Sequence, residues 1–376
     1  MSERDALREM TRDFVTREVL PHLQQWEDDG MVPRSLHKTA GDAGLLGVSF
    51  PEEVGGQGGT LADSVALQEA FFEAGGSSGL AAALFTGGIA LPHMAAHGSP
   101  YLIDRFVKPC LAGDSIGSLA VTEPGGGSDV AGIRTRAVRD GGSYVINGAK
   151  TFITSAVRAD FVTTAVRTGE PGHGGLSLIV VEKGTPGFTV DRVLTKMGWH
   201  CSDTAELSYV DVRVPVDNLV GEENQAFYYI AEQFVVERIA LAVHAYGIAA
   251  RSLALAADHA RNRETFGKPL IANQVIRHKL VEMHRQVSVA QAFTHAVVAR
   301  HDAGESVIAE ACLAKETAVN CSSYVTNEAV QIFGGAGYMH GSEVDRHYRD
   351  ARLLPIGGGT TEVLTDLAAR LLGYAS

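Results

Sequence analysis

The chain is poor in cysteine and tryptophan, and it carries no excess of positive charge. Only 4 cysteines and 2 tryptophans occur among its 376 residues. Cys110, Cys201, Cys312 and Cys321 show no CxxC or metal-finger spacing, so we expect scattered reduced thiols and no metal site. The formal net charge of −12 at pH 7 argues against a nucleic-acid partner, because phosphate recognition needs concentrated lysine and arginine.

Long hydrophobic runs and the common nucleotide-binding motifs are also missing. No uncharged apolar stretch approaches 18 residues, and the first 19 residues are charged throughout rather than signal-like, so we expect no stable membrane insertion and a cytoplasmic location. Neither GxGxxG nor GxxxxGK[ST] is present. The composition, 45% hydrophobic and 20% charged, is that of an ordinary soluble enzyme with two or three domains.

Periodicity predicts an α+β fold with the order helical, β, helical. Residues 1–117 show amphipathic helical stretches, for example at residues 5–23 and 35–46. Residues 118–217 contain apolar runs of strand length at 161–166, 176–181 and 206–214. Residues 218–376 return to helical spacing, mainly over 225–299 and 308–332.

Two local patterns predict details of the β section. Ser143–Ile146 leads into Asn147–Gly148, a dipeptide typical of a hairpin turn. In the last run Val210, Val212 and Val214 alternate with polar residues, which predicts a half-buried strand.

Glu237 is a carboxylate inside the otherwise apolar helical run 234–243. Removing such a group from water is costly, so it usually has an ionic partner or a chemical role. Its neighbour Arg238 is an unsuitable partner, because adjacent residues point about 100° apart on a helix. The alternative interpretation is that Glu237 forms a buried ion pair and has no chemical role.

A glycine-rich loop, residues 119–129, stands where the helical section gives way to strands. Gly125, Gly126 and Gly127 allow backbone amides to approach a ligand closely, and Thr122 and Ser128 offer hydroxyls. A glycine run alone is weak evidence of binding, but the combination Thr-Glu-Pro-Gly-x-Gly-Ser-Asp is far more specific.

That loop is one of five ordered motifs in which the chain resembles the acyl-CoA dehydrogenase family. The others are residues 147–154 (Asn-Gly-Ala-Lys-Thr-Phe-Ile-Thr), 263–268 (Arg-Glu-Thr-Phe-Gly-Lys) with Gln274, 331–338 (Gln-Ile-Phe-Gly-Gly-Ala-Gly-Tyr) and 348–351 (Tyr-Arg-Asp-Ala). Similarity also extends through residues 44–56 and 101–117, so it covers nearly the whole chain. The resemblance implies a helical N-terminal domain (1–117), a middle β-barrel domain (118–217) and a C-terminal four-helix bundle (218–376).

The resemblance also implies FAD, held between the middle and C-terminal domains and across a subunit interface. Phe152 stands where many members carry tryptophan, which keeps a ring contact but loses the indole N–H. Arg263 would supply charge to the pyrophosphate. The positions that match cofactor contacts are Val121, Thr122, Ser128, Phe152, Thr154, Arg263, Phe266, Gln274, Gln331, Gly334, Gly335, Thr360 and Glu362.

The chain departs from the commonest family pattern at the catalytic base. A glutamate usually precedes Gly-Thr in the segment after Tyr-Arg-Asp-Ala, but here Gly358 occupies its place. Members similar to the long-chain and isovaleryl types carry the base on a C-terminal-domain helix, directly before a substrate-site arginine, and Glu237–Arg238 matches that position. Glu362 is the nearby competitor. By the same resemblance Ser128, Arg238, Gly358 and Gly359 fall at substrate positions.

The activity implied is FAD-dependent α,β-desaturation of an acyl-CoA thioester, with Glu237 removing the α-proton and the β-hydrogen leaving as hydride to flavin N5. An electron-transfer flavoprotein would be the acceptor, the setting would be fatty-acid or other lipid metabolism, and the assembly would be a homotetramer built as a dimer of dimers. Two alternatives stay open. Gly358 in place of the usual glutamate keeps a flavin oxidase or monooxygenase on the same fold in consideration. The other is a non-catalytic subunit paired with an active paralogue, although Arg263, Gln331 and Gly335, whose absence would have supported it, are all present. The small residues of 80–90, where the family forms part of its acyl pocket, suggest room but do not select a chain length.

Overall fold

The computed structural model describes residues 2–375 and shows the predicted helical, β, helical order. The N-terminal part consists of helices whose lengths range from one turn to more than three. They are α1 Glu3–Phe14, α2 Leu23–Asp29, α3 Arg34–Asp42, α4 Leu61–Glu73, α5 Ser78–Leu84, α6 Gly87–Ala90, α7 Pro92–His97, α8 Pro100–Leu102 and α9 Lys108–Leu111. α1 continues into a π-helical turn, Val15–Val19.

The middle part is a sheet in which the strands follow the order β6-β7-β3-β2-β4-β5-β8, with β1 paired to β4. The strands are β1 Gly117–Ala120, β2 Arg136–Asp140, β3 Ser143–Thr154, β4 Phe161–Arg167, β5 Leu176–Glu182, β6 Phe188–Val193, β7 Thr204–Pro215 and β8 Leu219–Val220. The pairings of β4 with β1 and β2 are parallel, and the others are antiparallel. The sheet therefore reaches past residue 217, the domain boundary expected from the sequence, because β8 pairs with β5.

The predicted hairpin turn at Asn147–Gly148 is wrong. β3 runs through this dipeptide from Ser143 to Thr154 and stays paired with β7 on both sides of it. The register shifts there, because Ile146 faces Val212 whereas Gly148 faces Tyr209. β7 thus has one extra residue at this point. The two strands stay paired around it as a β-bulge, and no turn forms.

The same bulge changes the exposure predicted for β7. Val212 and Val214 are buried as expected, but Val210 is 64% exposed. Asp211 adopts a φ of +51°, so Val210 and Asp211 both face solvent before the alternation resumes. A strict period of two cannot represent this extra residue.

The C-terminal part is dominated by three long helices, α10 Ala226–Asn262, α11 Gln274–Asp302 and α12 Ile308–Phe333. A short two-stranded sheet, β9 Glu264–Thr265 and β10 Lys268–Pro269, separates α10 from α11 and interrupts the helical region expected over 225–299. α13 Gly335–Tyr338, α14 Glu343–Ala351 and α15 Thr361–Leu371 follow.

α10 is long and apolar enough to cross a membrane, but 61% of its most apolar stretch is buried within the protein, as in the core helix of a bundle. It packs against α11, α12, α14 and, across the domain junction, α4. Gly247 permits the contact with α4, because a side chain at this position would press on the ring of Phe72. One continuous apolar cluster joins the N-terminal and C-terminal helices, and a separate one fills the sheet domain.

α10 and α12 run in the same direction. Glu237 near the start of α10 lies by Lys315 in the first half of α12, and His259 near the end of α10 stacks on Phe333 at the end of α12, with ring centroids 4.2 Å apart. Glu237 and Lys315 therefore lie towards one end of this helix pair, and His259 and Phe333 lie at the other end.

Candidate active site

Glu237 and Gly358, which are far apart in the sequence, meet in the structure. Gly358 has a φ of +64°, and a methyl group placed on its Cα would lie 3.4 Å from Glu237 Oε1 and would overlap the Cδ1 atom of Leu241. The Glu237 carboxylate thus lies directly beside the backbone position that would otherwise carry a glutamate side chain. Leu241, one helical turn beyond Glu237, fills the rest of that space.

The environment of Glu237 favours its neutral form more than water does. Burial raises the pKa of Glu237 above its ordinary value, and the positive charges of Lys315 and Arg238 partly oppose this rise. The side chain is half-buried. A carboxylate with a raised pKa is a stronger base when ionised, which suits it to proton abstraction.

Arg238 is 6% exposed, and its guanidinium carbon lies 5.3 Å from the centre of the Phe234 ring. Its Nε atom is buried and has no hydrogen-bond partner within residues 2–375. An unpaired buried guanidinium N–H costs free energy, so the site has a free donor that a ligand's polar atom can satisfy.

The glycine turn Gly357–Gly359 is held in place by a residue that the sequence analysis missed. Lys315 on α12 is fully buried and donates from Nζ to the carbonyl oxygens of Gly357 and Gly359, both at 2.6 Å. The available signal was weaker than the one at Glu237, because the stretch 308–319 also contains Glu310 and Glu316. It lay in the apolar residues that share a helix face with Lys315, such as Ala311 and Val319.

Thr360 and Glu362 lie directly after this turn, at the start of α15. Thr360 is the N-cap of α15, and its side chain accepts a hydrogen bond from the Val363 amide. Glu362 is exposed in the first helical turn. Gly358 and Gly359 have positive φ angles, so the backbone from Gly358 to Thr360 is not helical and α15 begins only at Thr361.

The glycine-rich loop is anchored to β3 next to Phe152. The Thr151 amide donates to the Thr122 carbonyl oxygen at 3.0 Å, and the Thr122 hydroxyl donates to the Thr151 carbonyl oxygen. Lys150, also fully buried, donates to the Val121 carbonyl oxygen at 3.0 Å and to Glu123 Oε1 at 2.9 Å. Lys150 and Glu123 were not singled out from the sequence, yet they fix the shape of this loop.

Phe152 is presented to solvent by a strained backbone. Its φ is +60°, an unusual value for a bulky residue, and its side chain is 69% exposed. The register shift between Lys150 and Ile153 produces this exposure. Gly125 and Gly126 in the nearby loop have open space where a side chain would be, so the loop and the exposed ring leave room for a planar cofactor. Ser128 is exposed and Thr154 is half-buried at the end of the same strand.

The remaining predicted cofactor residues lie at the other end of the bundle. Asn262, the last residue of α10, is 25 positions after Glu237, which corresponds to about 37 Å of helix axis. Phe266 there is fully exposed with a φ of +52°. This distal group comprises Arg263, Phe266, Gln274, Gln331, Gly334 and Gly335.

Apart from Thr360 and Glu362, which lie at the start of α15, the predicted cofactor positions therefore form two groups, one by the glycine-rich loop and one at the far end of α10 and α12. Within one chain the second group is too distant to share a ligand with Glu237. The exposed Phe266 and the open space at Gly334 and Gly335 leave the distal group accessible to a second chain.

Comparison with known proteins finds one family along nearly the whole chain. The acyl-CoA dehydrogenase N-terminal, middle and C-terminal domain families match residues 1–114, 118–212 and 224–373. The mouse mitochondrial long-chain specific acyl-CoA dehydrogenase is 37% identical over 374 residues, which cover 98% of this chain and 86% of that protein.

Solved structures give the same result. A probable acyl-CoA dehydrogenase from Mycobacterium abscessus is 62% identical, with a TM-score of 0.98 over 99% of both chains. A putative acyl-CoA dehydrogenase from Mycobacterium smegmatis is 59% identical, with a TM-score of 0.99 over 100% of this chain and 99% of that one.

The chain belongs to the acyl-CoA dehydrogenase family. It is an FAD-dependent oxidoreductase of acyl-CoA thioesters, as the resemblance implied. The exposed Phe152 and the open glycine-rich loop fit this cofactor.

Proposed function

We propose that this enzyme desaturates the α,β bond of an acyl-CoA and that Glu237 is the base that removes the α-proton. The observation that carries the proposal is the 3.4 Å separation between Glu237 Oε1 and the side-chain position of Gly358. The family resemblance assigns the base to that position in most members. Here the carboxylate reaches the same place from α10.

The chemistry fits the surroundings of Glu237. The α-proton of a thioester is weakly acidic, so a strong base must be aimed at it in a site with little water. Burial raises the pKa of Glu237, which increases its basicity. Bound FAD would supply the hydride acceptor, and Phe152 with the 121–128 loop would hold its ring system. Arg238, with its unpaired Nε, would donate to a polar atom of the substrate.

The decisive experiment is anaerobic flavin reduction in stopped flow, with a panel of acyl-CoA thioesters of graded length and branching. We expect Glu237→Gln to keep FAD and lose most of the reduction seen with the best substrate, since the amide cannot accept the proton. Glu232→Gln is the matched control, because Glu232 lies on the same helix with its side chain 77% exposed.

Three outcomes would contradict the proposal. Unchanged bleaching in Glu237→Gln would exclude it as the base, and loss of bleaching only in Glu362→Gln would transfer the role to Glu362. A wild-type enzyme that no acyl-CoA reduces would overturn the desaturation itself. Rapid oxygen consumption by the reduced enzyme without an acceptor protein would instead favour the oxidase alternative.

The proposed electron acceptor is an electron-transfer flavoprotein, and the proposed setting is fatty-acid metabolism in the cytoplasm. The acceptor is supported by a related chain, 30% identical with a TM-score of 0.94, from a structure of the electron transferring flavoprotein of Acidaminococcus fermentans.

We propose a homotetramer, a dimer of dimers, as the assembly. The distal group of cofactor positions supports this, because it lies at the opposite end of α10 from Glu237 and is accessible to a second chain, whose FAD it would contact. Val275, Val281 and Val289 along α11 are 60%, 69% and 50% exposed, and apolar side chains of this kind are suited to a subunit interface.

A further inference from the structure

Lys315 is a buried cation that is hydrogen-bonded to the turn beside the proposed base. Its ammonium group binds the carbonyl oxygens on both sides of Gly358, and Gly358 lies against Glu237. A single side chain therefore fixes the turn that limits where the Glu237 carboxylate can lie.

Hydrogen bonding to two carbonyl groups does not by itself require a charge. A neutral amide could donate to the same oxygens, and burying an ammonium group is costly. Burial lowers the pKa of Lys315 to about 8, so the group still carries its charge near neutral pH. The charge must then be compensated by something close to it.

The charged and titratable groups around this ammonium are few. α10 contributes Glu237 and Arg238, and α12 contributes Cys312 and Glu316. A third packed element is the Gly357–Gly359 turn, which has no ionisable side chain, and a fourth is α15, whose Glu362 is exposed to solvent. Glu237 and Glu316 are therefore the opposite charges closest to Lys315, and Glu237 is the one that touches the turn.

We propose that Lys315 is a positioning residue for the base: it holds the Gly357–Gly359 turn against Glu237 and stabilises the ionised form of that carboxylate. This inference rests on the proposed function, because it assigns Lys315 a role through Glu237.

The sign of the effect follows from the charges. Removing the positive charge leaves burial opposed by Arg238 alone, so the pKa of Glu237 rises further. The basic form of Glu237 is then lost at a higher pH as the solution is acidified. The acid limb of the flavin-reduction rate should move to higher pH, whereas general damage to the fold would lower the rate without moving the limb.

The test measures the rate constant of flavin reduction against pH for the FAD-loaded enzyme and its Lys315 variants. Lys315→Gln removes the charge but keeps N–H donors for the turn, and Lys315→Met removes both. We expect both variants to shift the acid limb upward by about one pH unit, and Lys315→Met alone to lose rate on the plateau as well. Lys38→Met is the control, because Lys38 is a 49% exposed lysine paired with Asp42 and Asp114.

A second measurement does not depend on turnover. The difference in thermal midpoint between wild type and Glu237→Gln depends on pH through the ionisation of Glu237. In a Lys315→Gln background, that dependence should appear at a pH about one unit higher.

The inference is wrong if Lys315→Gln keeps the wild-type acid limb while Glu237→Gln has lost flavin reduction. If Lys315→Met does not retain FAD, Lys315→Arg replaces it: the retained charge should keep the limb near its wild-type position, and a shift as large as that of Lys315→Gln would contradict the proposal. Full activity in Glu237→Gln would instead show that the base assignment, rather than the Lys315 inference alone, is wrong.

Discussion

Gly358 is the position where a single methyl group should disturb both stability and chemistry. Its φ of +64° is in the left-handed region, which costs an alanine about 1–2 kcal/mol more than glycine. The added methyl would also overlap Leu241 Cδ1. Leu241 is only partly buried, so it can rotate away at about 0.5–1.5 kcal/mol.

We therefore expect Gly358→Ala to lower the free energy of unfolding by about 2–3 kcal/mol. Thermal unfolding of the FAD-loaded protein measures this loss. The double variant Gly358→Ala/Leu241→Ala separates the two contributions, because it relieves the overlap but leaves the backbone strain. Gly357→Ala is the stability control, since a methyl group there meets its nearest neighbour at 3.8 Å.

The same methyl group should slow flavin reduction by acyl-CoA. It would lie 3.4 Å from Glu237 Oε1, and the displaced Leu241 would compete for the remaining space. A small displacement of a base from its reacting atom costs about tenfold or more in rate. A Gly358→Ala enzyme with wild-type stability and a wild-type reduction rate would refute the view that this turn and Glu237 are in tight contact.

Two further predictions concern buried carboxylates outside the candidate site. Burial alone would raise the pKa of Glu69, but hydrogen bonds to its carboxylate, led by the one from His295, outweigh the effect of burial and lower the pKa to about 2. The ionised Glu69 therefore stabilises the folded state above about pH 4.5, and this stabilisation is lost as the pH falls towards 2. Glu69→Gln should cost about 3 kcal/mol at pH 7, and an unfolding midpoint deficit that does not shrink on acidification below pH 4.5 would contradict this. Burial and the nearby Glu27 raise the pKa of Asp350 to about 7, so its favourable contribution is present below pH 3.8 and lost as pH rises through 7. The Asp350→Asn variant should therefore lose less stability than wild type as the pH rises from 5 to 8. If the thermal midpoints of the two proteins fall with equal slopes over this range, the raised pKa of Asp350 is excluded.

Local patterns predicted the order of the elements well because each depends on neighbours in sequence. The strands at 161–166 and 176–181 appear as β4 Phe161–Arg167 and β5 Leu176–Glu182, within one residue of expectation. The pattern failed at Asn147–Gly148, where pairing with β7 overrides the preference of the dipeptide for a turn. A bulge on a partner strand about 60 residues away is invisible to a local pattern.

In the candidate site, too, single residues could be predicted from the sequence but the contacts between them could not. The sequence identified Glu237 as a charge in an apolar helix, and the resemblance drew attention to Gly358, but their contact depends on how the segment before α15 folds back onto α10. The split of the cofactor positions into two groups was also implied only by the resemblance. It follows in the structure from the length of α10.

Lys315 and Glu237 are charges of opposite sign on two different helices of the bundle. Either charge alone is costly to remove from water. Opposite charges on separate helices offset each other's burial cost only if the helices pack in a particular register. Here α10 and α12 are aligned so that Glu237 lies near Lys315 and His259 stacks on Phe333. Periodicity defines which face of each helix is buried, but it does not define how far one helix is displaced along the other. Buried charges of opposite sign are thus a sequence-level clue to that displacement, because an arrangement that leaves both unpaired would cost several kcal/mol.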